Sequence, residues 1–147
     1  MLEQRMITVF FDGLCSPKNP GGVAAYGYLV YRNGELLHRG WGVVGEGSGM
    51  TNNVAEYEAL LAAIRWIQKN APGERVVFKG DSNLVIKQMS GEWRVRSHTS
   101  KRYVPIIKSM LEGIEHEFVW VPREENAEAD ALSKHAYEIY RRGQRSG

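Results

Sequence analysis

Asn33-Gly34 narrows the fold more than any other pair of residues in the chain. Asn-Gly is the dipeptide best suited to a two-residue hairpin, because both central positions of the favoured turn need positive φ. It is flanked by Ala24–Arg32 and Glu35–Val44, which carry Tyr26, Tyr28, Leu29, Val30, Tyr31, Trp41 and Val43 and read as two antiparallel strands. Upstream, Met6–Asp12 (Met-Ile-Thr-Val-Phe-Phe-Asp) is a third strand, so the first third of the chain predicts an antiparallel meander. After a Gly45–Gly49 loop the pattern changes: Val54, Tyr57, Leu61, Ile64 and Ile67 step by three and four, the stripe of an amphipathic helix that Pro72-Gly73 closes. Arg75–Gly80 then reads as a strand, followed by a helix opening at Ser82, a helix over Val104–Leu111 with Pro105 in its first turn, a strand over Glu117–Val121 and a helix over Ala127–Arg142. Strands that alternate with helices add to a sheet in parallel. The expected fold is therefore α/β: a five-stranded mixed sheet, an antiparallel meander plus two parallel strands, with helices on both faces.

The chain has 147 residues, 43% of them hydrophobic, which fits one domain spanning 1–147 with a core over about 6–140 and a flexible tail at Arg141–Gly147. One cysteine, Cys15, forbids an internal disulfide and a cysteine-cluster zinc site. No apolar run approaches the roughly 18 residues of a membrane span, and Met1–Arg5 does not open a signal peptide, so the sequence reads as a cytoplasmic protein without a membrane partner. Nothing in it points to an obligate protein partner, and a monomer is expected. Net charge is only +2, too mild to argue for nucleic acid by itself. Its distribution says more. Arg94, Arg96, Lys101, Arg102 and Lys108 fall in a stretch without an acid, whereas Glu124, Glu125, Glu128 and Asp130 crowd together. A phosphate track beside a cation site and two solvated faces both account for that pattern.

Four acids stand at telling positions. Asp12 ends the first predicted strand and Asp81 the fourth, where ligands of open α/β sheets gather. Glu56 and Asp130 fall in the first turns of the long helix and the last helix, where an acid also simply complements the helix dipole. Were all four within about 5 Å, each pair would repel by roughly 3 kcal/mol at an effective dielectric of 20, which a fold tolerates only with a cation present. All-oxygen donors favour Mg²⁺ or Mn²⁺ over zinc. Two such ions form the clamp that cuts phosphodiesters.

The surroundings of these acids complete a pattern. Asp12-Gly13-Leu14-Cys15, Asn19-Pro20-Gly21-Gly22, Thr51-Asn52-Asn53-Val54-Ala55-Glu56-Tyr57, Gly80-Asp81-Ser82-Asn83-Leu84-Val85-Ile86 and Glu125-Asn126-Ala127-Glu128-Ala129-Asp130-Ala131-Leu132 occur in this order. Together they resemble type 1 ribonuclease H over nearly the whole chain, from Met6 to about Tyr137. The resemblance implies a ribonuclease H-like five-stranded mixed sheet and endonucleolytic cutting of the RNA strand of RNA–DNA hybrids, with 3′-hydroxyl and 5′-phosphate ends. It places two metal ions, bound together with substrate, on Asp12, Glu56, Asp81 and Asp130, with Asp12 bridging them. It also implies substrate contacts at Gly13, Cys15, Asn19, Thr51, Asn52, Asn53, Asn83, Trp93, Arg94 and Arg96. Short amides and hydroxyls suit a 2′-OH, the local mark that separates RNA from DNA.

The chain departs from the family at several points. Leu14 replaces a small polar residue, Ser16-Pro17-Lys18 lengthens its loop, and Asn83 stands where many members have Gln. The long basic extension of some bacterial members is missing. The loop Pro122–Asn126 lacks the histidine many relatives carry, which leaves Arg123 as its cation and candidate catalytic residue. A non-catalytic hybrid-binding module and another nuclease of the same superfamily, such as a junction resolvase, are the competing readings.

Overall fold

The computed structural model describes residues 5–146. The strands are β1 (Met6–Ser16), β2 (Val23–Arg32), β3 (Glu35–Glu46), β4 (Arg75–Gly80) and β5 (His116–Trp120). The helices are α1 (Asn52–Asn70), α2 (Asn83–Met89), α3 (His98–Met110) and α4 (Ala127–Ser146), the last preceded by a 3₁₀ turn over Arg123–Asn126. The sheet order is β3-β2-β1-β4-β5. β1–β2 and β2–β3 are antiparallel, whereas β1–β4 and β4–β5 are parallel, as the alternation of strands and helices predicts.

Asn33 and Gly34 both have positive φ, 47° and 85°, and place Arg32 opposite Glu35. This is the turn geometry whose twist matches that of the flanking strands. On one face of the sheet Ile7, Val9, Phe11, Val30, Val76 and Phe78 meet Tyr57, Leu60, Ile64 and Ile67 of α1 and Tyr103, Val104 and Ile107 of α3 in a single core. α4 covers the other face, packing on β2, β1 and β3.

Three boundaries differ from expectation. β1 runs past Asp12 to Ser16, because its second half is held by antiparallel pairing with Val23–Gly27. α3 starts at His98, six residues early, since Ser97 caps it by accepting from the Ser100 amide; Pro105 is thus mid-helix, not in its first turn. Pro105 is exposed, so water can meet the Lys101 carbonyl that lacks its helical donor. The tail expected at Arg141–Gly147 is helical through Ser146, while Gly147 lies outside the described residues. Tyr140, Arg141 and Gln144 all bond the Glu46 carboxylate, which extends α4 along the end of β3. Among the described residues no helix is long and apolar enough to cross a membrane.

Candidate active site

The site lies where β1 and β4 part. Their parallel pairing ends at Phe10 and Lys79; β4 stops at Gly80, while β1 continues beside β2 alone. Asp12 and Asp81 both stand just beyond that last pair, at the carboxyl end of parallel strands. Ser82 caps α2 by accepting from the Val85 amide, so the chain turns away directly after Asp81.

Two glycines bring in the other acids. Gly13 faces α1 so closely that a Cβ there would lie 2.4 Å from the Ala55 carbonyl carbon and 2.5 Å from the Glu56 nitrogen. Gly27, paired with Asp12, faces α4, and its Cβ would lie 2.5 Å from the Leu132 Cβ and 2.7 Å from the Ala129 oxygen. Alternation along β1 sends Asp12 to the face opposite Gly13. A residue without a side chain on each face therefore lets one helix carry Glu56, and the other Asp130, up to Asp12. Glu56 is the fifth residue of α1, so it lies beyond the first turn and does not serve the helix dipole.

Among the described residues Asp12, Glu56 and Asp81 form the one acidic group close enough to share a cation, with one oxygen from each within 4.8 Å of the others. Asp12 and Glu56 are buried. Burial chiefly, with Asp81 and Asp130 adding to it, pushes the Asp12 carboxyl up to about 7, although a hydrogen bond from Glu56 opposes the rise. Burial first, and then Asp12 and Asp81, pushes Glu56 well above the usual carboxylate range. Without a cation both carboxyls hold their protons to higher pH than free carboxylates do. Asp130 lines the same cleft and neighbours Asp12, but stands outside the triplet, with Oδ2 2.9 Å from Lys134 Nζ. The donors fit a hard divalent ion: all are oxygens, and the buried Glu56 Oε2 has no hydrogen-bond partner.

The remaining candidates divide into three groups. Asn52, Asn53, Gly13 and Arg123 line the cleft with the acids, Arg123 exposed at the start of the 3₁₀ turn. Asn19, Cys15 and Thr51 hold that wall in shape. The Cys15 amide donates to Asn52 Oδ1 at 2.7 Å, the Asn52 amide donates to Asn19 Oδ1 at 3.1 Å, and the Thr51 hydroxyl caps α1 by accepting from the Val54 amide. The Cys15 thiol is buried against the Lys18 carbonyl. Trp93, Arg94 and Arg96 surround a separate groove along α2 with Leu84, Gln88, Glu92 and Ser97, and Trp93 is 47% exposed. Asn83 is exposed at the first position of α2 and lines neither.

Two residues take roles that the sequence did not assign to them. Asn126 is buried, and its Nδ2 donates to the Phe11 carbonyl at 2.9 Å and to Asp81 Oδ2 at 3.4 Å. It thus ties the turn before α4 to the strand that carries Asp12. Lys134 pairs with Asp130, and their i, i+4 spacing was its available signal. Asn126→Ala is expected to destabilise the fold by roughly 1–3 kcal/mol, the cost of an unpaired buried carbonyl, and to weaken activity beyond that loss. Thermal melts and rates below the melting transition check both effects.

A mixed sheet in order 3-2-1-4-5 with carboxylates at the β1/β4 fork defines a ribonuclease H-like protein. The family described as reverse transcriptase-like matches residues 10–136. Ribonuclease HI of Halobacterium salinarum is 34% identical over 131 residues, 88% of this chain and 63% of that protein. LC11-RNase H1, solved in complex with an RNA/DNA hybrid, superposes with a TM-score of 0.83 at 32% identity, covering 91% of this chain and 98% of that one. The N-terminal RNase H domain of Rv2228c from Mycobacterium tuberculosis gives 0.83 at 28%, covering 95% and 98%. The chain belongs to the type 1 ribonuclease H family. It spans about three fifths of the length of the curated archaeal relative.

Proposed function

We propose that the protein is a divalent-metal-dependent endoribonuclease that cuts the RNA strand of RNA–DNA hybrids, leaving 3′-hydroxyl and 5′-phosphate ends. The observation that carries this reading is the convergence of Asp12, Glu56 and Asp81, with a buried carboxylate oxygen left without a partner. A fold that only bound hybrid would gain nothing from burying acids against one another. Asp12, Glu56, Asp81 and Asp130 would hold two Mg²⁺ or Mn²⁺ ions with substrate bound, Asp12 being the one that neighbours all the others. When bound, such ions acidify water and stabilise the charge of the leaving oxygen. The chain's own residues bind and orient. Asn52 and Asn53 offer amides at the cleft wall, and Gly13, whose missing side chain admits α1, is proposed to meet the hybrid through its backbone there. Cys15, Asn19 and Thr51 are proposed to meet the hybrid through the same wall, Asn83 beside it, and Trp93, Arg94 and Arg96 from the groove along α2. A monomer in the cytoplasm completes the reading.

The deciding experiment incubates labelled RNA–DNA hybrid, all-DNA duplex, RNA duplex and a four-way junction with the protein, with Mg²⁺, with Mn²⁺ and with chelator. Metal-dependent cutting of RNA in the hybrid, and none of all-DNA duplex, is the expected pattern. Cleavage of the junction in preference to the hybrid would replace the reading by a resolvase.

Arg123 is the nearest cation in a loop that lacks the histidine implied by the family resemblance, and its fixed charge cannot shuttle protons near neutrality. It can orient the scissile phosphate or help product leave. Arg123→Ala is expected to lower turnover roughly 10- to 100-fold, a loss of about 1.4–2.7 kcal/mol from the transition state. Arg123→Lys should recover part of it. Steady-state rates for Arg123→Ala within twofold of the parent would instead make it a solvated arginine beside Glu124 and Glu125.

A further inference from the structure

Behind the groove lies a buried polar cluster that no catalytic step uses. Gln88, near the end of α2, is 3% exposed, and Tyr57 of α1 and Ser100 of α3 are fully buried. The Gln88 Oε1 accepts from the Tyr57 hydroxyl at 2.6 Å and from the Ser100 hydroxyl. One amide oxygen thus ties three helices together. Tyr57 also stacks on Tyr103, with ring centroids 5.3 Å apart and planes within 7°.

Gln88 reaches outward as well. Its Nε2 donates to the Arg94 carbonyl at 3.4 Å, and the Trp93 amide donates to the Lys87 carbonyl at 3.1 Å. At the far end of the segment the Ser97 hydroxyl meets Ser100 at 2.9 Å and accepts from the Ser100 amide at 3.1 Å. Residues 94–96 have no regular secondary structure of their own, so these bonds, together with the packing of Val95 against the core, set their path. The side-chain anchors converge on Gln88 and Ser100, while the Trp93 amide is held by the backbone of α2. The side chains so presented are Trp93, Arg94 and Arg96, each exposed. Glutamine needs both its acceptor and its donor here, which a purely apolar core residue would not supply.

We propose that Gln88 is a positioning residue for nucleic-acid binding: without touching the hybrid, its buried amide fixes the Trp93–Ser97 segment, and so its affinity for RNA–DNA, from within the core. The proposal rests on the reading of that segment as a hybrid contact. Because none of its hydrogen bonds reaches an acid of the site, the cluster governs affinity and not chemistry. Tyr57 follows Glu56 directly, yet the contact with Gln88 uses only its hydroxyl, so the cluster can be altered while the carboxylate stays in place.

The test measures binding of a fluorescent RNA–DNA hybrid by anisotropy in chelator, and KM and kcat with Mn²⁺, for the parent, Gln88→Met, Tyr57→Phe and the double variant Arg94→Ala/Arg96→Ala. Gln88→Met keeps length and volume but removes both polar functions. It is expected to raise Kd and KM about tenfold with kcat within about twofold, the range opened by losing one or two hydrogen bonds. Its binding should also lose salt dependence, as the double variant's does, because misplaced arginines neutralise fewer phosphates. Tyr57→Phe removes one of the two donors to Gln88 and should raise Kd about threefold; it carries the test if Gln88→Met does not fold. The proposal is overturned if the folded Gln88→Met protein, or Tyr57→Phe in its place, binds within about 1.5-fold of the parent, or if kcat falls as far as KM rises. Loss of affinity in the double variant alone would sink the role of Gln88 but keep the segment as a contact. No change in any variant sinks both, and a parent that neither binds nor cuts hybrid sinks the proposed function itself.

Discussion

Asp12→Asn is expected to abolish cleavage while raising the melting temperature of the metal-free protein. The two effects have one cause. Asp12 is buried among Glu56, Asp81 and Asp130, and its carboxyl is pushed up to about 7. The unfolded chain titrates it near the ordinary value of about 3.9. A raised folded value means that the native state binds more protons than the unfolded state between those limits. Stability therefore falls as pH rises from about 4 through about 7, and the full penalty is present above that. Asparagine carries no charge and removes the penalty, so metal-free Asp12→Asn should gain roughly 1–3 kcal/mol at pH 8 and nothing near pH 4. With metal the order reverses, because ions that bind only the native state stabilise the parent by mass action and have lost a ligand in the variant. Activity should fall by a factor of about 1,000 or more, over 4 kcal/mol of transition-state stabilisation. Melting curves in chelator and in Mg²⁺, at both pH values, together with hybrid cleavage, decide the matter. A melting temperature unchanged in chelator at pH 8 would mean that the acids do not share a desolvated site.

Gly13→Ala tests the same site from its scaffold. The added methyl would fall 2.4 Å from the Ala55 carbonyl carbon and 2.7 Å from the Ala55 Cβ, so helix α1 must retreat from β1. Overpacking of this kind costs roughly 1–3 kcal/mol even when no polar group is lost. Its effect on function should exceed that loss, since the retreat carries Glu56 away from Asp12. Cleavage is expected to drop by about 100-fold or more at temperatures where the variant is fully folded, the scale of a 1 Å misplacement at a reacting centre. Gly34→Ala, at a turn with nothing within 4 Å, is the control: it strains a positive-φ position and lowers stability but should leave turnover of the folded protein intact. Equal activity losses in the two variants would argue that Gly13 matters only for stability.

What the sequence discloses follows the range of the interactions involved. The turn at Asn33-Gly34 is legible because φ preference is local, and α1 is legible because its buried face repeats every turn. The second half of β1 is not: Gly13, Leu14, Cys15 and Ser16 have the composition of a loop and become a strand only by pairing with β2. The start of α3 is hidden in the same way, since Pro105 marks a boundary in local terms while the Ser97 cap sets it in fact. At the site, Asp12, Glu56, Asp81 and Asp130 stand out through their motifs, and all four reach one cleft. That Asp130 pairs with Lys134 instead of completing the buried triplet is a matter of ångströms and has no sequence counterpart. Asn126 was visible as part of a motif, yet its bonds to Phe11 and Asp81 bridge 115 and 45 residues.

The two glycines that admit the helices bear on the life of the protein before it is complete. Asp12 and Glu56 are held together through Gly13, and Asp130 arrives only when α4 settles over Gly27, more than a hundred residues after Asp12. A chain emerging from the ribosome thus presents its first acids long before the last has been synthesised. Nothing short of the docked final helix assembles the full set. Whatever chemistry needs all four carboxylates is therefore withheld until α4 has docked on the sheet.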